Sequence, residues 1–245
     1  MPAFCINHHG EISFLQKEKY MAFISVFDVI GPNMVGPSSS HTAGAASIAL
    51  LVHKMTGGNI EKVKFTLYGS FARTYRGHGT DKALLGGIMG FEADDVRIRD
   101  SFRIADEKGL EYEFEINTEE TDVHPNTVDI EITRKDAPPI SVRGESLGGG
   151  ACELTRINGV KIRLRGDYHA LIISHRDRPG IIAAVTNILS VLDINIAYLR
   201  VYRESKGGQA FMIIESDEEI SDAAVNKIKK SIELDDIMSI KRQEV

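Results

Sequence analysis

The chain has 245 residues, 42% of them hydrophobic and 26% charged, which predicts a globular protein large enough for two domains. Its net charge of −6 argues against a nucleic-acid partner, because phosphate binding draws on clustered Lys and Arg side chains. No apolar run approaches the ~20 residues that a membrane span requires, so we expect no membrane partner.

The number of cysteines bears on the cellular location of the protein and on the metal cofactors that it can bind. Cys5 and Cys152 are the only two cysteines, so the sequence contains no disulfide framework and a cytoplasmic location is expected. An iron–sulfur cluster typically requires about four thiolate ligands, which this chain cannot supply by itself.

The N-terminal segment Met1–Tyr20 lacks the long apolar core of a secretory signal, and we predict a poorly ordered extension there. His8 and His9 within it are expected to be solvated rather than to bind a metal. Phe23–Ile30 is apolar and β-branched, a composition that fits either a strand or a short helix.

The first candidate site is the stretch Gly31–Gly44, which glycines and prolines interrupt. From Thr42 a run of small apolar residues predicts a helix to about Met55, with one of the preceding serines as its N-cap. A helix start carries unpaired N–H groups and a partial positive charge, so it favours an anion such as an amino-acid carboxylate. An ordinary serine cap beside solvent-facing neighbours is the alternative. The side chains concerned are Ser38, Ser39, Ser40, His41 and Thr42.

A second, similar segment follows the alternating strand Lys62–Tyr68. It contains Gly69-Ser70 and then Gly77-His78-Gly79-Thr80-Asp81, and a helix is predicted from about Asp81 to Met89 with Thr80 or Asp81 as its cap. Histidine suits proton transfer near neutral pH, so two such turns that converged would supply a carboxylate cradle and an acid/base pair. A turn residue that bonds locally is the alternative for His78.

Between Gly90 and Arg143 the pattern predicts strands, of which Glu111–Asn117 and Thr127–Thr133 alternate strictly. Their acidic faces are expected to be solvated. The loop His124-Pro125-Asn126 lies between them and places an amide beside a fixed proline. Such an amide can bind a ligand, although a Pro-Asn turn needs none.

Ser146-Leu147-Gly148-Gly149-Gly150 ends the next segment, and its glycines let backbone N–H groups approach a ligand or form a hinge. Asn158-Gly159 then predicts a hairpin between Ala151–Ile157 and Val160–Leu164. We expect the first domain to span residues 21–166.

Residues 167–245 show a separate order of strand, helix, strand, strand, helix and strand, which is the ferredoxin-like unit. The predicted fold class is therefore α+β, an α/β domain followed by a ferredoxin-like βαββαβ domain. The predicted elements are Tyr168–Ser174, Ile181–Leu192, Ile194–Arg203, Gln209–Glu215, Ser221–Ile232 and Ile237–Arg242, with a loop at residues 175–180.

Taken in order, these motifs resemble the β subunit of two-subunit, iron–sulfur-dependent L-serine dehydratases, from about Phe23 to the C-terminus. The second domain resembles an ACT domain, a ferredoxin-like module that senses amino acids. The segments that carry the resemblance are Gly36–Thr42, Gly69-Ser70, Gly77–Asp81, His124–Asn126 and Ser146–Gly150, with Asp177–Gly180 in the ACT domain.

The resemblance implies a reaction that this chain does not perform alone. In that family a [4Fe–4S] cluster, bound by cysteines of an α subunit, acts as a Lewis acid on the hydroxyl of L-serine. A base removes the α-proton, hydroxide departs, and the aminoacrylate decays to pyruvate and ammonia. The low cysteine count here agrees with a cluster held by the partner α subunit, and this chain is expected to bind no metal itself.

The resemblance also implies roles for individual residues. His78 is the leading candidate for proton transfer at the α-carbon, and His41 is the second. Homodimers are expected to form through the ACT domains, with an effector near Asp177, Arg178, Pro179 and Gly180. The expected substrate-binding residues are Ser38, Ser39, Ser40, Thr42, Ser70, Thr80, Asp81, His124 and Asn126.

Two alternatives to catalysis remain open from the sequence. The first domain also resembles the allosteric substrate-binding domain that accompanies an ACT domain in some 3-phosphoglycerate dehydrogenases, so the chain could be a regulatory amino-acid-binding protein. The paired histidine motifs favour the dehydratase, and the chain lacks a dinucleotide-binding Gly-x-Gly-x-x-Gly segment. A stand-alone ACT sensor would leave the first domain unexplained.

Overall fold

The structure, a computed structural model, describes residues 33–135 and 137–242 together with the backbone of two short N-terminal strands. These strands, β1 (Phe4–Ile6) and β2 (Ile12–Phe14), pair antiparallel where the sequence predicted no regular structure. His8, His9 and the predicted element Phe23–Ile30 lie outside the described residues. The chain divides into two compact units, residues 1–30 and residues 31–245.

A six-stranded sheet in the order β4-β3-β5-β6-β7-β8 forms the first part of the larger unit. Only β3 and β4 run parallel, and every other neighbouring pair is antiparallel. The strands are β3 (Ile60–Leu67), β4 (Glu111–Ile116), β5 (Thr127–Arg134), β6 (Ala137–Gly148), β7 (Ala151–Ile157) and β8 (Val160–Leu164).

The long helix α1 (Gly44–Thr56) packs against this sheet and against α3 (Thr80–Ile88), with the short helix α2 (Gly69–Thr74) between β3 and α3. Small residues on α1 allow a close approach: a Cβ added at Gly87 of α3 would lie 2.4 Å from the carbonyl oxygen of Ala46. The run of small apolar residues therefore serves the packing of two helices as well as helix formation.

Several predicted element boundaries require correction. Helix α4 (Ser101–Lys108) and the 3₁₀ turn Val96–Asp100 lie where only strands were predicted, and the left-handed Gly109 ends α4. Gly79, not Thr80 or Asp81, occupies the N-cap position of α3, and no side chain caps that helix. Charged Arg and Asp side chains interrupt the apolar periodicity around α4, so the pattern did not predict this helix. The Arg103–Glu107 ion pair and the C-cap Gly109 support it.

The second sheet has the order β10-β11-β9-β12, with all neighbours antiparallel. The βαββαβ order and the α+β class predicted from the sequence are confirmed, although β9 extends through Arg176 into the predicted loop. The elements are β9 (His169–Arg176), α5 (Ile181–Val191), β10 (Ile196–Arg203), β11 (Gln209–Ser216), α6 (Asp222–Ser231) and β12 (Asp236–Ile240).

The two faces of the second sheet pack against different partners. One face carries Leu171 and Ile173 and packs under α5 and α6. The opposite face, which includes Ile172 and Phe211, belongs to the same apolar core as the first sheet. The Arg134 guanidinium also donates to the Asp236 carboxylate at 2.7 Å and so joins β5 to β12. None of the helices in the described residues has the length and apolarity needed to cross a bilayer.

Candidate active site

The candidate site begins at the turn that precedes α1. The Ser38 hydroxyl accepts a hydrogen bond from the His41 backbone N–H at 3.1 Å, so a serine caps this helical segment as predicted. Residues Ser39–Ala43 form a single π-helical turn that continues directly into α1. Thr42 is buried within this turn, and its hydroxyl donates to the backbone carbonyl of His78 at 2.9 Å. That bond fixes the two histidine-bearing turns to each other.

The His41 imidazole is held at both ring nitrogens by serine hydroxyls. Its Nδ1 lies 3.1 Å from Ser40 Oγ and 3.3 Å from Ser38 Oγ, and its Nε2 lies 2.9 Å from Ser70 Oγ. Partial burial, and then the nearby charge of His78, lower the pKa of His41 below the ordinary 6.5. The neutral imidazole, which can accept a proton, is therefore the favoured form at neutral pH.

The two predicted histidine turns meet in space. The rings of His41 and His78 contact each other edge to face, with 4.8 Å between their centroids. Three buried polar atoms on the predicted site segments have no hydrogen-bond partner among the described residues: His78 Nδ1, Thr80 Oγ1 and Asn126 Oδ1. Unpaired buried polar atoms are costly, so these three are the candidates in this region for contact with a polar ligand.

The His124–Asn126 loop, which precedes β5, is hydrogen-bonded to two other segments of the site. The Pro125 carbonyl accepts from the backbone N–H of Ser70 at 2.6 Å, and the Asn126 carbonyl accepts from that of Ser146 at 3.0 Å. The Ser146 hydroxyl in turn donates to the Ser40 carbonyl at 2.9 Å. Segments far apart in the sequence are thus joined around His41.

The remaining predicted site residues are placed as follows. Asp81 lies at the start of α3, where its carboxylate accepts from the Lys82 N–H at 2.8 Å and burial raises its pKa. The glycines of the predicted Gly148–Gly150 ligand loop all have positive φ and make the tight connection between β6 and β7. That connection accounts for them without a ligand.

No sequence pattern predicted the network of charged side chains beside the site. The buried guanidinium of Arg143 donates to Asp129 at 2.6 Å and to Glu120 at 2.8 Å, and it stacks on the Tyr68 ring. The Tyr68 hydroxyl donates to Asp129 at 2.7 Å, and burial together with this bond raises the pKa of Tyr68 to about 12. Asp129 and Arg143 are directly opposite each other across β5 and β6, a signal that appears only once the register is known.

The predicted effector loop follows β9 in the second sheet. The Asp177 carboxylate accepts from the Arg203 guanidinium at 2.9 Å and from the Gly207 N–H at 3.1 Å, and these bonds lower its pKa. Arg178 pairs with Glu233 at the surface, and Gly180 precedes α5 with φ +91. Asp177 therefore stabilises its own loop and the β10–β11 turn.

Known proteins share this α+β order, in which two histidine-bearing turns meet ahead of two helices and a ferredoxin-like sheet follows. Residues 25–155 match the family described as serine dehydratase beta chain, and residues 169–233 match the ACT domain. The chain belongs to the serine dehydratase beta chain family and carries a C-terminal ACT domain.

Individual relatives support this assignment over most of the chain. It is 42% identical over 210 residues to a probable L-serine dehydratase beta chain of Bacillus subtilis. The aligned region covers 86% of this chain and 94% of that protein. It is 39% identical over 208 residues to the L-serine dehydratase beta chain of Peptoniphilus asaccharolyticus, with 85% and 94% coverage. A D-3-phosphoglycerate dehydrogenase of B. subtilis is 29% identical over 80% of this chain but only 37% of its own length.

Proposed function

We propose that this chain is the β subunit of a cytoplasmic L-serine ammonia-lyase, which deaminates L-serine to pyruvate and ammonia together with an α subunit. The observation that carries the proposal is the contact between His41 and His78, together with three unpartnered buried polar atoms on the site segments. The names of the two beta-chain relatives support the reaction and the partner.

Among residues 33–135 and 137–242, the side chains do not fit the role of iron–sulfur ligands. Cys152 is buried, and burial raises the pKa of its thiol to about 12, so the thiolate is disfavoured. The described residues contain no group of His, Cys, Asp and Glu arranged to hold a metal. The proposal therefore assigns the [4Fe–4S] cluster to cysteines of the α subunit, where it would supply Lewis-acid chemistry at the substrate hydroxyl.

The part of this chain is to bind and orient the substrate and to move a proton. His78 is the leading proton acceptor because its Nδ1 is buried and unpartnered, whereas both ring nitrogens of His41 contact serines. Thr80 and Asn126 offer unpartnered oxygen atoms to the amino group of serine. The other expected substrate-binding side chains would hold the carboxylate or support the groups that do. They lie on the four segments Gly36–Thr42, Gly69-Ser70, Gly77–Asp81 and His124–Asn126 and are Ser38, Ser39, Ser40, Thr42, Ser70, Asp81 and His124.

The proposal is tested by His78→Gln, assayed anaerobically for pyruvate from L-serine after co-expression with the α subunit. Loss of an acid/base group typically costs about 10²–10⁴ in rate, so kcat is expected to fall by that factor while the complex still assembles. Lys62→Ala, at an exposed position on β3, is the control and should retain wild-type kcat. Equal activity of the two variants would remove His78 from the mechanism.

We further propose that ACT domains pair to form a homodimer. Val191 and Leu192, at the end of α5 and just after it, expose 67% and 40% of their surface, apolar surface that a second copy would cover. Val191→Asp should shift the sedimentation coefficient toward the monomer. Val96→Asp changes an equally exposed valine in the first domain and should not, since Val96 is 68% exposed. Unchanged mass for both variants would reject the ACT dimer.

A regulatory role without catalysis is the second candidate, because a phosphoglycerate dehydrogenase shares 29% identity over most of this chain. It predicts that L-serine binds near Asp177–Gly180 while co-expression with an α subunit yields no pyruvate. The assay of the wild-type complex separates the two functions directly. Calorimetric titration of the isolated chain with L-serine tests the effector.

A further inference from the structure

A cleft of about 490 Å³ lies between the two domains, and its lining includes neither His41 nor His78. Helix α1, the β6–β7 hairpin, the segment that leads into β9 and the end of β12 form its walls. Its volume falls in the range of small-molecule sites, and inter-domain clefts are a common location for such sites. No residue of its lining has a role in the proposed reaction.

The charge of the cleft opposes that of the protein. Four basic side chains line it against a single carboxylate, Asp167, although the whole chain carries a net charge of −6. Two of these side chains also form ion pairs, Arg165 with Glu153 and Lys241 with Glu219. The basic residues are Lys54, Arg165, Lys241 and Arg242.

A second cleft continues the basic surface. It measures about 500 Å³ and shares Arg165, Asp167 and Arg242 with the first. It adds Arg163, which pairs with Glu153, and Arg200, which pairs with the lining residue Glu215. The shared residues therefore face solvent-filled space on both sides, and Arg242 stands where the two clefts join. The side walls of the first cleft are apolar, formed by Leu50, Leu51 and Ile240.

Lys54 lies on the α1 wall of the first cleft and is partly buried. Burial lowers the pKa of its ammonium group, and the Glu92 carboxylate opposes that effect. A partly desolvated cation of this kind gains from an anionic ligand more than an exposed lysine does.

We propose that this cleft binds a small organic phosphate. The arginine guanidiniums match the geometry of phosphate oxygens, the lysines add point charges, and the leucine and isoleucine side chains accept the carbon skeleton. A phosphate monoester carries about −1.5 to −2 charge at pH 7, a larger negative charge than that of a ligand with a single carboxylate, so it gains more from a basic cleft. The site does not depend on the proposed dehydratase activity.

Calorimetric titration of the full-length chain with glycerol 3-phosphate, at ionic strength fixed with chloride, tests the site. Saturable binding is expected, and Arg242→Gln should raise Kd at least about tenfold, since a charge-assisted hydrogen bond typically contributes that much. Arg99→Gln, at an exposed position in the first domain, should stay within about twofold of wild type. Equal Kd values for these variants, or no saturable heat, would overturn the proposal.

Lys54→Gln changes the wall opposite Arg242 and should also raise Kd. Circular dichroism with an unchanged Tm verifies that each variant is folded. Titrations with inorganic phosphate and with citrate separate the anion classes. Weaker binding of inorganic phosphate supports a role for the apolar wall, whereas tighter binding of citrate would overturn the phosphate assignment.

Discussion

His41 illustrates how a few hydroxyl groups determine the state of a side chain. Three serines, Ser38, Ser40 and Ser70, surround its ring nitrogens, and each can either donate or accept a hydrogen bond. Because none of these neighbours is ionised, burial and the adjacent His78 decide the protonation state, and both favour the neutral ring. The ring is therefore oriented without being charged.

The pKa of His41 is expected to lie below 6.5 and can be read from an NMR titration of its imidazole C–H signals. His78→Gln should raise it toward 6.5, since the neighbouring charge is removed. Its lowered folded-state pKa means that the unfolded chain binds more protons, so His41 contributes stability above pH 6.5 that is lost as the pH falls through the folded-state pKa. A midpoint at or above 6.5 would contradict the argument.

Residue identities at the site could be predicted from the sequence, but their pairing could not. Serines beside a histidine ahead of a small-residue helix indicated an anion-binding turn, and Ser38 does cap that turn. The position of His78 depends on Thr42, whose hydroxyl donates to the His78 carbonyl, and on the contact with the ring of His41. Such contacts join residues 36 or 37 positions apart and leave no periodic signal.

At the scale of elements, α2 and the loop His124–Asn126 depend on one glycine. Gly69 has φ +52, and a Cβ there would lie 2.7 Å from the carbonyl oxygen of Pro125 and 2.9 Å from its Cα. The same carbonyl accepts the first N–H groups of α2, from Ser70 and Phe71. Only glycine permits both the left-handed backbone and this close approach.

Gly69→Ala is expected to lower the free energy of unfolding by about 2–4 kcal/mol, the sum of a left-handed alanine and a backbone contact that must widen. Denaturant unfolding monitored by circular dichroism measures the change. Gly109→Ala is the matched control: its φ is +68 but nothing lies within 4 Å of the added Cβ, so about 1 kcal/mol is expected. Equal losses for the two variants would show that the Pro125 contact yields freely.

At the scale of the whole molecule, the two sheets share one apolar core, which the sequence pattern of two successive domains did not predict. Periodicity predicted the second sheet and its helices correctly, yet it could not show that both faces of that sheet are buried. Ile172 and Ile213 read as ordinary apolar strand residues, but they pack into the core of the first domain, while Leu171 packs into the separate core under α5 and α6. A continuous apolar run is what a strand buried on both faces requires.

Because one core spans both sheets, residues 31–245 are expected to unfold in a single cooperative transition. Phe211→Ala, in the shared core of β11, should cost about 3–5 kcal/mol. Native-state hydrogen exchange should then show the same loss of protection in β5, in the first sheet, as in β9, in the second. The control is Ile182→Ala, at a side chain that is 44% exposed. It should change the free energy of exchange in β5 and in β9 by less than about 0.5 kcal/mol.

Loss of protection confined to β9 would mean that the sheets unfold separately, and removal of residues 167–245 would then be a valid test of dimerisation. If both strands respond together, that deletion exposes the first domain's core, and only point variants such as Val191→Asp report on the dimer.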